Sequence, residues 1–137
     1  MRIAIFQGPE QAKSPEQAVE LLARQAADAA GHGARLLICP EMYLTGYNIG
    51  GAMAAQLAEG PDGPSLTRVA RIARDHGIAL LLGYPERGSD GAIYNAVSLI
   101  DRDGATAARY RKCHLFGDLD RAMFRAGSRA PEVVELE

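Results

Sequence analysis

Apolar residues follow two different spacings along the chain, and their alternation predicts the order of the elements. Short, mostly apolar segments over residues 3–7, 34–39 and 78–83 have the length of buried strands, and residues 36–38 form an unbroken apolar run. Between these segments, apolar residues recur every three or four positions over residues 15–30 and 65–77, which is typical of helices packed on one side. The order strand, helix, strand, helix, strand predicts an α/β fold.

The C-terminal third of the sequence predicts a hairpin added to this sheet. A strand over residues 93–100 is followed by the turn at residues 101–104 and by an antiparallel strand over residues 105–112, which makes the sheet mixed. The apolar segment 133–136 predicts the beginning of a sixth strand. Because the chain ends inside this segment, we expect the domain to continue further.

Between the second predicted strand and the second long helix, the apolar positions follow neither the spacing of a strand nor that of a long helix. Residues 40–51 carry one proline and three glycines among polar and aromatic residues, and they predict a loop. A short helix is expected over residues 52–59.

The helix predicted over residues 15–30 has its own start signal, because Ser14 and Pro15 provide an N-cap and a proline in the first turn.

Composition excludes several classes of protein. Of 137 residues, 47% are hydrophobic and 23% are charged, which predicts one folded globular domain. A net charge of −2 gives no support for a nucleic-acid partner. No apolar run reaches the roughly 20 residues of a membrane-spanning helix, and the N-terminus lacks a signal-peptide pattern, so we expect a cytoplasmic protein without a membrane partner.

Glu41 is the first candidate for chemistry, because it follows a buried strand and Pro40 directly. Ligands of α/β sheets bind where strands end, and a carboxylate held there is a plausible general base. The competing interpretation is a solvated loop glutamate. Position alone does not decide between the two.

Lys112 is the second candidate, at the end of the fifth predicted strand. A lysine beside Arg111 is most often a surface residue, whereas a lysine facing a carboxylate is a fixed positive charge able to stabilise an oxyanion.

The cysteines and histidines predict structural roles. Cys113 and His114 are neighbours in a predicted strand and point to opposite faces, which argues against a nucleophile and base pair. Cys39 lies inside a buried run and is expected in the core. His32 and His76 end helices without ligand partners at suitable spacing, so no metal site is predicted. Glycine-rich cofactor motifs are absent from the sequence.

Taken together, four segments resemble the nitrilase superfamily, the carbon–nitrogen hydrolases. They are MRIAIFQ (residues 1–7), LICPEMYLTGY (37–47), YNA (94–96) and YRKCHLF (110–116). Residues 37–47 resemble the family's catalytic-glutamate block, and residues 110–116 resemble its catalytic-lysine block. The resemblance covers the whole chain and implies that residues 1–137 are the N-terminal portion of a single domain, about half of a four-layer α-β-β-α sandwich.

The resemblance also implies an activity and its residues. A family member hydrolyses a non-peptide carbon–nitrogen bond of a small amide or nitrile through a cysteine thioester, without metal or cofactor, usually as a homodimer or larger homo-oligomer. Glu41 would be the general base and Lys112 would stabilise the tetrahedral intermediate. Asp120 stands where many members have a second glutamate and would support Lys112; the competing interpretation is a plain loop acid. Tyr43 and Tyr47 would line the substrate pocket, and the competing interpretation for Tyr43 is packing against the strand.

The sequence departs from the family pattern in one respect that decides the interpretation. The family's nucleophilic cysteine lies beyond the lysine block, and neither Cys39 nor Cys113 matches it. We therefore expect the nucleophile beyond residue 137, in an amidase-like hydrolase that favours aliphatic amides. The alternatives are an inactive fragment that serves as a binding or assembly module, and an unrelated α/β small-molecule binder.

Overall fold

One five-stranded mixed sheet organises the chain, as seen in a computed structural model that describes residues 1–8 and 14–136. Its strands lie in sequence order, and the first three are parallel whereas the last three are antiparallel. The strands are β1 (Ile3–Ile5), β2 (Leu36–Ile38), β3 (Ala79–Arg87), β4 (Ile93–Ile100) and β5 (Thr106–Arg111). The helices are α1 (Pro15–Gly31), α2 (Gly51–Leu57), α3 (Pro64–His76) and α4 (Gly117–Met123). The α/β class and the mixed sheet predicted from the sequence are confirmed.

Local signals explain where the two long helices begin and end. The Ser14 side chain accepts a hydrogen bond from the backbone N–H of Gln17 at 3.3 Å, as an N-cap residue does. Helix α3 ends at Gly77, whose φ of +61° is the left-handed conformation that glycine adopts without steric cost.

Helices α1 and α3 cover the same face of the sheet and form the main core with it. Their apolar stripes pack on side chains that alternate along the strands, because successive strand residues point to opposite faces. The members contributed by the sheet and its flanks include Leu37, Cys39, Leu80, Leu82, Tyr84, Ala96 and Ile100.

The opposite face of the sheet is also apolar, but only part of it is covered. Leu36, Ala79 and Leu99 are buried there with the C-terminal residues Val134 and Leu136 against them. The prediction of a buried first strand was wrong in this respect, since Ile3 and Ile5 are 48% and 70% exposed. β1 lies at the sheet edge, and the covering helices protect only the face opposite to these two side chains.

Two elements differ from the sequence prediction. Residues 133–136 form no strand, because a strand requires a backbone partner and none of the strands in the described part of the chain pairs with them. Helix α4 was not predicted, since it is only one and a half to two turns long and no side chain caps its N-terminus. It packs with α2 on a small second core around Met42, Ala54 and Phe124.

Candidate active site

Glu41 is presented by a sharp turn that begins directly after β2. Met42 has a φ of +52°, a left-handed conformation that non-glycine residues rarely adopt, and its side chain is fully buried. A Cβ atom at Gly83 would overlap the backbone nitrogen of Met42, so the turn lies directly against strand β3. The N–H of Leu44 donates to the carbonyl of Gly83 at 3.2 Å and fixes the turn there. The predicted loop is therefore closely packed, and it holds Glu41 at the carboxyl end of the parallel strands.

Lys112 follows β5 immediately and reaches the same place from the other side. Its backbone N–H donates to the carbonyl of Asn95 at 2.8 Å, and its own carbonyl accepts from Gly127 at 2.9 Å. The ammonium Nζ lies 2.8 Å from Oε1 of Glu41 and 2.9 Å from Oδ2 of Asp120. The structure thus brings together three residues that the sequence analysis selected.

Asn95 completes this cluster, and the sequence analysis assigned it no role. Its Nδ2 donates to Oε1 of Glu41 at 2.7 Å. Asn95 is 5% exposed within strand β4, where an amide side chain needs a partner. The signal was therefore present in the sequence as a polar residue, like Ser98, inside a largely apolar predicted strand.

Asp120 is held by α4 and is completely buried. Its Oδ1 accepts from the Tyr47 hydroxyl at 2.6 Å, and its Oδ2 accepts from the N–H of Phe116 at 2.8 Å. Burial opposes the charge of this carboxylate, but these hydrogen bonds and Lys112 outweigh burial and lower the pKa of Asp120 below its ordinary value. Desolvation, together with the hydrogen bond to Asp120, raises the pKa of Tyr47 to about 12.

The contacts of Lys112 with the two carboxylates keep its side chain positively charged. Burial disfavours the ammonium, yet hydrogen bonds to Glu41 and Asp120 more than compensate and raise the pKa of Lys112 above its ordinary value. Two carboxylates therefore surround one ammonium that is charged throughout the neutral range.

The two tyrosines predicted to line the pocket lie in different places. Tyr47 belongs to the cluster, with its ring centroid 5.8 Å from Nζ of Lys112. Tyr43 instead donates to the carbonyl of Ala18 at 3.0 Å and stands edge-on to Phe6, with ring centroids 5.8 Å apart. The structure therefore does not bring Tyr43 to the cluster, and places it where the loop meets α1.

Cys39 belongs to the hydrophobic core, and the thiol of Cys113 contacts backbone carbonyl oxygens. Cys39 is 9% exposed, and burial raises the pKa of its thiol to about 12, so this sulfur stays protonated at neutral pH. The Sγ of Cys113 contacts the carbonyl of Arg129 at 3.1 Å and that of Arg111 at 3.5 Å.

A small cavity of about 220 Å³ opens beside the cluster. Glu41, Asn95 and Lys112 form its polar side, and Leu81 and Val97 are among its apolar lining residues. This combination of an apolar cavity with a few converging polar groups is typical of a site for a small molecule.

Neither a metal-binding cluster nor a membrane-spanning helix is found among residues 1–8 and 14–136. In this part of the chain, no three His, Cys, Asp or Glu side chains gather as a metal ion would require. Over the same residues, none of the helices has the length and apolar character needed to cross a bilayer.

Comparison with known proteins gives the family. The Carbon-nitrogen hydrolase profile matches residues 2–137. A protein of Pseudomonas protegens described as "Hydrolase in pqqF 5'region" is 49% identical over the whole chain, which covers 47% of that protein. An (R)-stereoselective amidase of a Pseudomonas species is 37% identical over 99 residues, 72% of this chain and 35% of that protein.

A solved structure agrees with these sequence relatives. The crystal structure of an amidase from Nesterenkonia sp. superposes with a TM-score of 0.87 and 33% sequence identity, over 98% of this chain and 51% of that one. The chain thus spans about half the length of these proteins, or less. Its sequence and its fold both place it in the Carbon-nitrogen hydrolase family.

Proposed function

We propose that this chain forms the glutamate and lysine side of the catalytic site of an enzyme that hydrolyses small aliphatic amides through a cysteine thioester. The observation that carries the proposal is the contact of 2.8 Å between the Lys112 ammonium and the Glu41 carboxylate at the end of the sheet. The cavity beside this pair and the family of the chain support it.

Glu41 is proposed as the general base and acid. It takes the proton of the cysteine thiol while the sulfur bonds to the amide carbon and the carbonyl electrons move to oxygen. When the carbon–nitrogen bond breaks, Glu41 returns the proton to the leaving nitrogen and ammonia departs. Water then attacks the thioester, Glu41 takes its proton and returns it to sulfur, and the carboxylic acid leaves.

Lys112 is proposed as the group that stabilises the oxyanion of each tetrahedral intermediate. A fixed ammonium at this position acts most strongly where a closed site excludes water. Asp120 supports it, because this buried carboxylate holds Nζ at 2.9 Å and keeps the ammonium charged and oriented.

The nucleophile is proposed to lie beyond residue 137. Cys39 is protonated at neutral pH, and Cys113 contacts backbone carbonyls, so neither thiol has the activated surroundings that a nucleophile requires. The chain covers about half of the amidase structure that it superposes on, which leaves room for the missing group in the full-length protein.

We favour amides over nitriles as substrates because of the ligands seen in a related solved structure, and not because of the geometry of this site. The Nesterenkonia amidase was solved with butyramide in a variant that has alanine in place of a cysteine, and with acrylamide added to its active-site cysteine.

The experiment uses the full-length protein that carries this chain. Ammonia release is measured with butyramide and with butyronitrile, in the parent, in Glu41→Gln and in the matched control Glu20→Gln on the exposed face of α1. We expect turnover of the amide, a loss of about 10²- to 10⁴-fold in Glu41→Gln, and no change in the control.

Two outcomes would contradict the proposal. Turnover that persists in Glu41→Gln would remove Glu41 from the role of base. A folded parent protein that releases ammonia from neither compound would favour the alternative, a binding or assembly module without catalysis.

A further inference from the structure

Asn95 touches both proposed catalytic residues at once. Its backbone carbonyl accepts from the N–H of Lys112 at 2.8 Å, and its side-chain amide donates to Oε1 of Glu41 at 2.7 Å. The residue is 5% exposed and lies in a strand that is hydrogen-bonded on both sides. Strand alternation places it on the same sheet face as Leu99, away from α1 and α3.

The two donors around Glu41 converge on one oxygen. Nδ2 of Asn95 and Nζ of Lys112 both bind Oε1, at 2.7 and 2.8 Å. Among the residues that the structure describes, no donor binds Oε2. The two oxygens of this carboxylate are therefore not equivalent.

We propose that Asn95 is a positioning residue that fixes Oε1 of Glu41 and so leaves Oε2 as the oxygen that exchanges the proton with the nucleophile. This inference rests on the proposed function and adds to it the residue that decides which oxygen of the base reacts.

Lys112 alone does not suffice for this task. Its ammonium is shared between Glu41 and Asp120, its side chain is 26% exposed, and its long stem has several rotatable bonds. In the proposed mechanism it also binds the substrate oxyanion. Asn95 has a short side chain on a rigid strand and one side-chain partner, so it holds the carboxylate while the ammonium is shared among several partners.

The charged and titratable groups near Glu41 come from several elements. They are Lys112 after β5, Tyr110 on β5, Asp120 on α4, Tyr47 in the loop and Cys39 after β2. Since Asn95 is neutral, replacing it with leucine removes a hydrogen bond to the charged carboxylate without changing the number of charges. A change in the protonation of Glu41 in this variant therefore does not come from an added or removed charge.

The test compares three variants of the full-length protein. Asn95→Leu keeps the size of the side chain without the donor, and Asn95→Asp keeps the shape but offers only acceptors at neutral pH. Leu99→Ala is the matched control, because it weakens packing on the same face of the same strand without touching the cluster. Each protein is assayed for kcat and KM on butyramide across pH.

We expect Asn95→Leu to lower kcat by about 10- to 100-fold with KM changed by less than about threefold. Its acidic limb of kcat/KM should move to higher pH by about one unit, since the charged base has lost a hydrogen bond. Asn95→Asp should lose more activity, because a second carboxylate then faces Glu41. Leu99→Ala should lower the unfolding midpoint and leave the acidic limb in place.

A second measurement separates this inference from the proposed function. If the parent does not hydrolyse amides, titration of the Glu41 carboxyl carbon by ¹³C NMR still compares the parent with Asn95→Leu, or with Asn95→Asp if the first variant does not fold. A titration midpoint that is unchanged in the variant would overturn the role of Asn95, as would an unchanged acidic limb in an active enzyme. A midpoint displaced to higher pH would support it whatever the substrate proves to be.

Discussion

Nζ of Lys112 lies 2.8 Å from Oε1 of Glu41, although 71 positions separate these two residues in the chain. The contact exists because β2 and β5 run in the same direction, so their carboxyl ends lie on the same side of the sheet. β2 delivers Glu41 through the strained turn at Met42, and β5 delivers Lys112 with its backbone bound to Asn95. The sheet between them, strands β3 and β4, sets the distance.

Replacing Lys112 should affect stability as well as activity. In Lys112→Met the fully buried Asp120 loses its cation and keeps only the Tyr47 and Phe116 donors. Because a buried charge is then less well compensated, we expect the free energy of unfolding to fall by about 1–3 kcal/mol and amide turnover to be lost. Urea unfolding of the full-length protein measures the first effect and ammonia release the second. Arg102→Met, in the exposed turn after β4, is the control, and a Lys112→Met enzyme with normal turnover would refute the oxyanion role.

The stability of the protein should depend on acid through Asp120. Its pKa in the folded state is lowered below the ordinary value of 3.8, so its contribution to stability is present above that value and is lost as pH falls through the folded pKa. We expect the urea midpoint to decrease below about pH 4, and to decrease less in Asp120→Asn. Equal acid dependence in both proteins would show that Asp120 contributes nothing to it.

Gly83→Ala should disturb the presentation of Glu41. The new Cβ would overlap the backbone nitrogen of Met42, and backbone atoms cannot move aside as a flexible side chain can. We expect a loss of about 1–3 kcal/mol in the free energy of unfolding, and a lower kcat because the Glu41 turn is pushed away from the strand. Gly60→Ala is the control, since an added Cβ there meets no atom within 4 Å. A variant with reduced stability but unchanged kcat would show that the turn does not need this close approach.

The two tyrosines of the loop should respond differently to removal of their hydroxyl groups. Tyr47→Phe removes the donor to Asp120, so we expect lower activity, whereas Tyr43→Phe removes only the bond to the carbonyl of Ala18. The latter should lower the free energy of unfolding by about 1 kcal/mol and change kcat by less than about twofold. Thermal unfolding and amide turnover of both variants check this. A large loss of kcat in Tyr43→Phe would instead support the role in the substrate pocket that the sequence predicted for Tyr43.

The sequence by itself determined the elements with strong local signals. The strand 93–100 was predicted with the bounds that the structure has, and α1 begins at Pro15 as its cap predicts, because hydrophobic spacing and capping residues act over a few positions. Glu41 and Lys112 were selected as candidates from their positions at strand ends, and the resemblance of the blocks that carry them implied their roles. The match of the family to residues 2–137 confirms the resemblance that those blocks indicated.

Only the tertiary structure decided how these residues meet. That Asn95 binds Glu41, that Asp120 is buried on a short helix, and that Tyr43 faces α1 all depend on contacts between segments distant in the chain. The exposure of β1 and the lack of a strand at residues 133–136 have the same origin. Local spacing gives the conformation of a segment, but burial and strand pairing depend on which neighbours the fold brings to it, and the sequence of the segment does not contain that information.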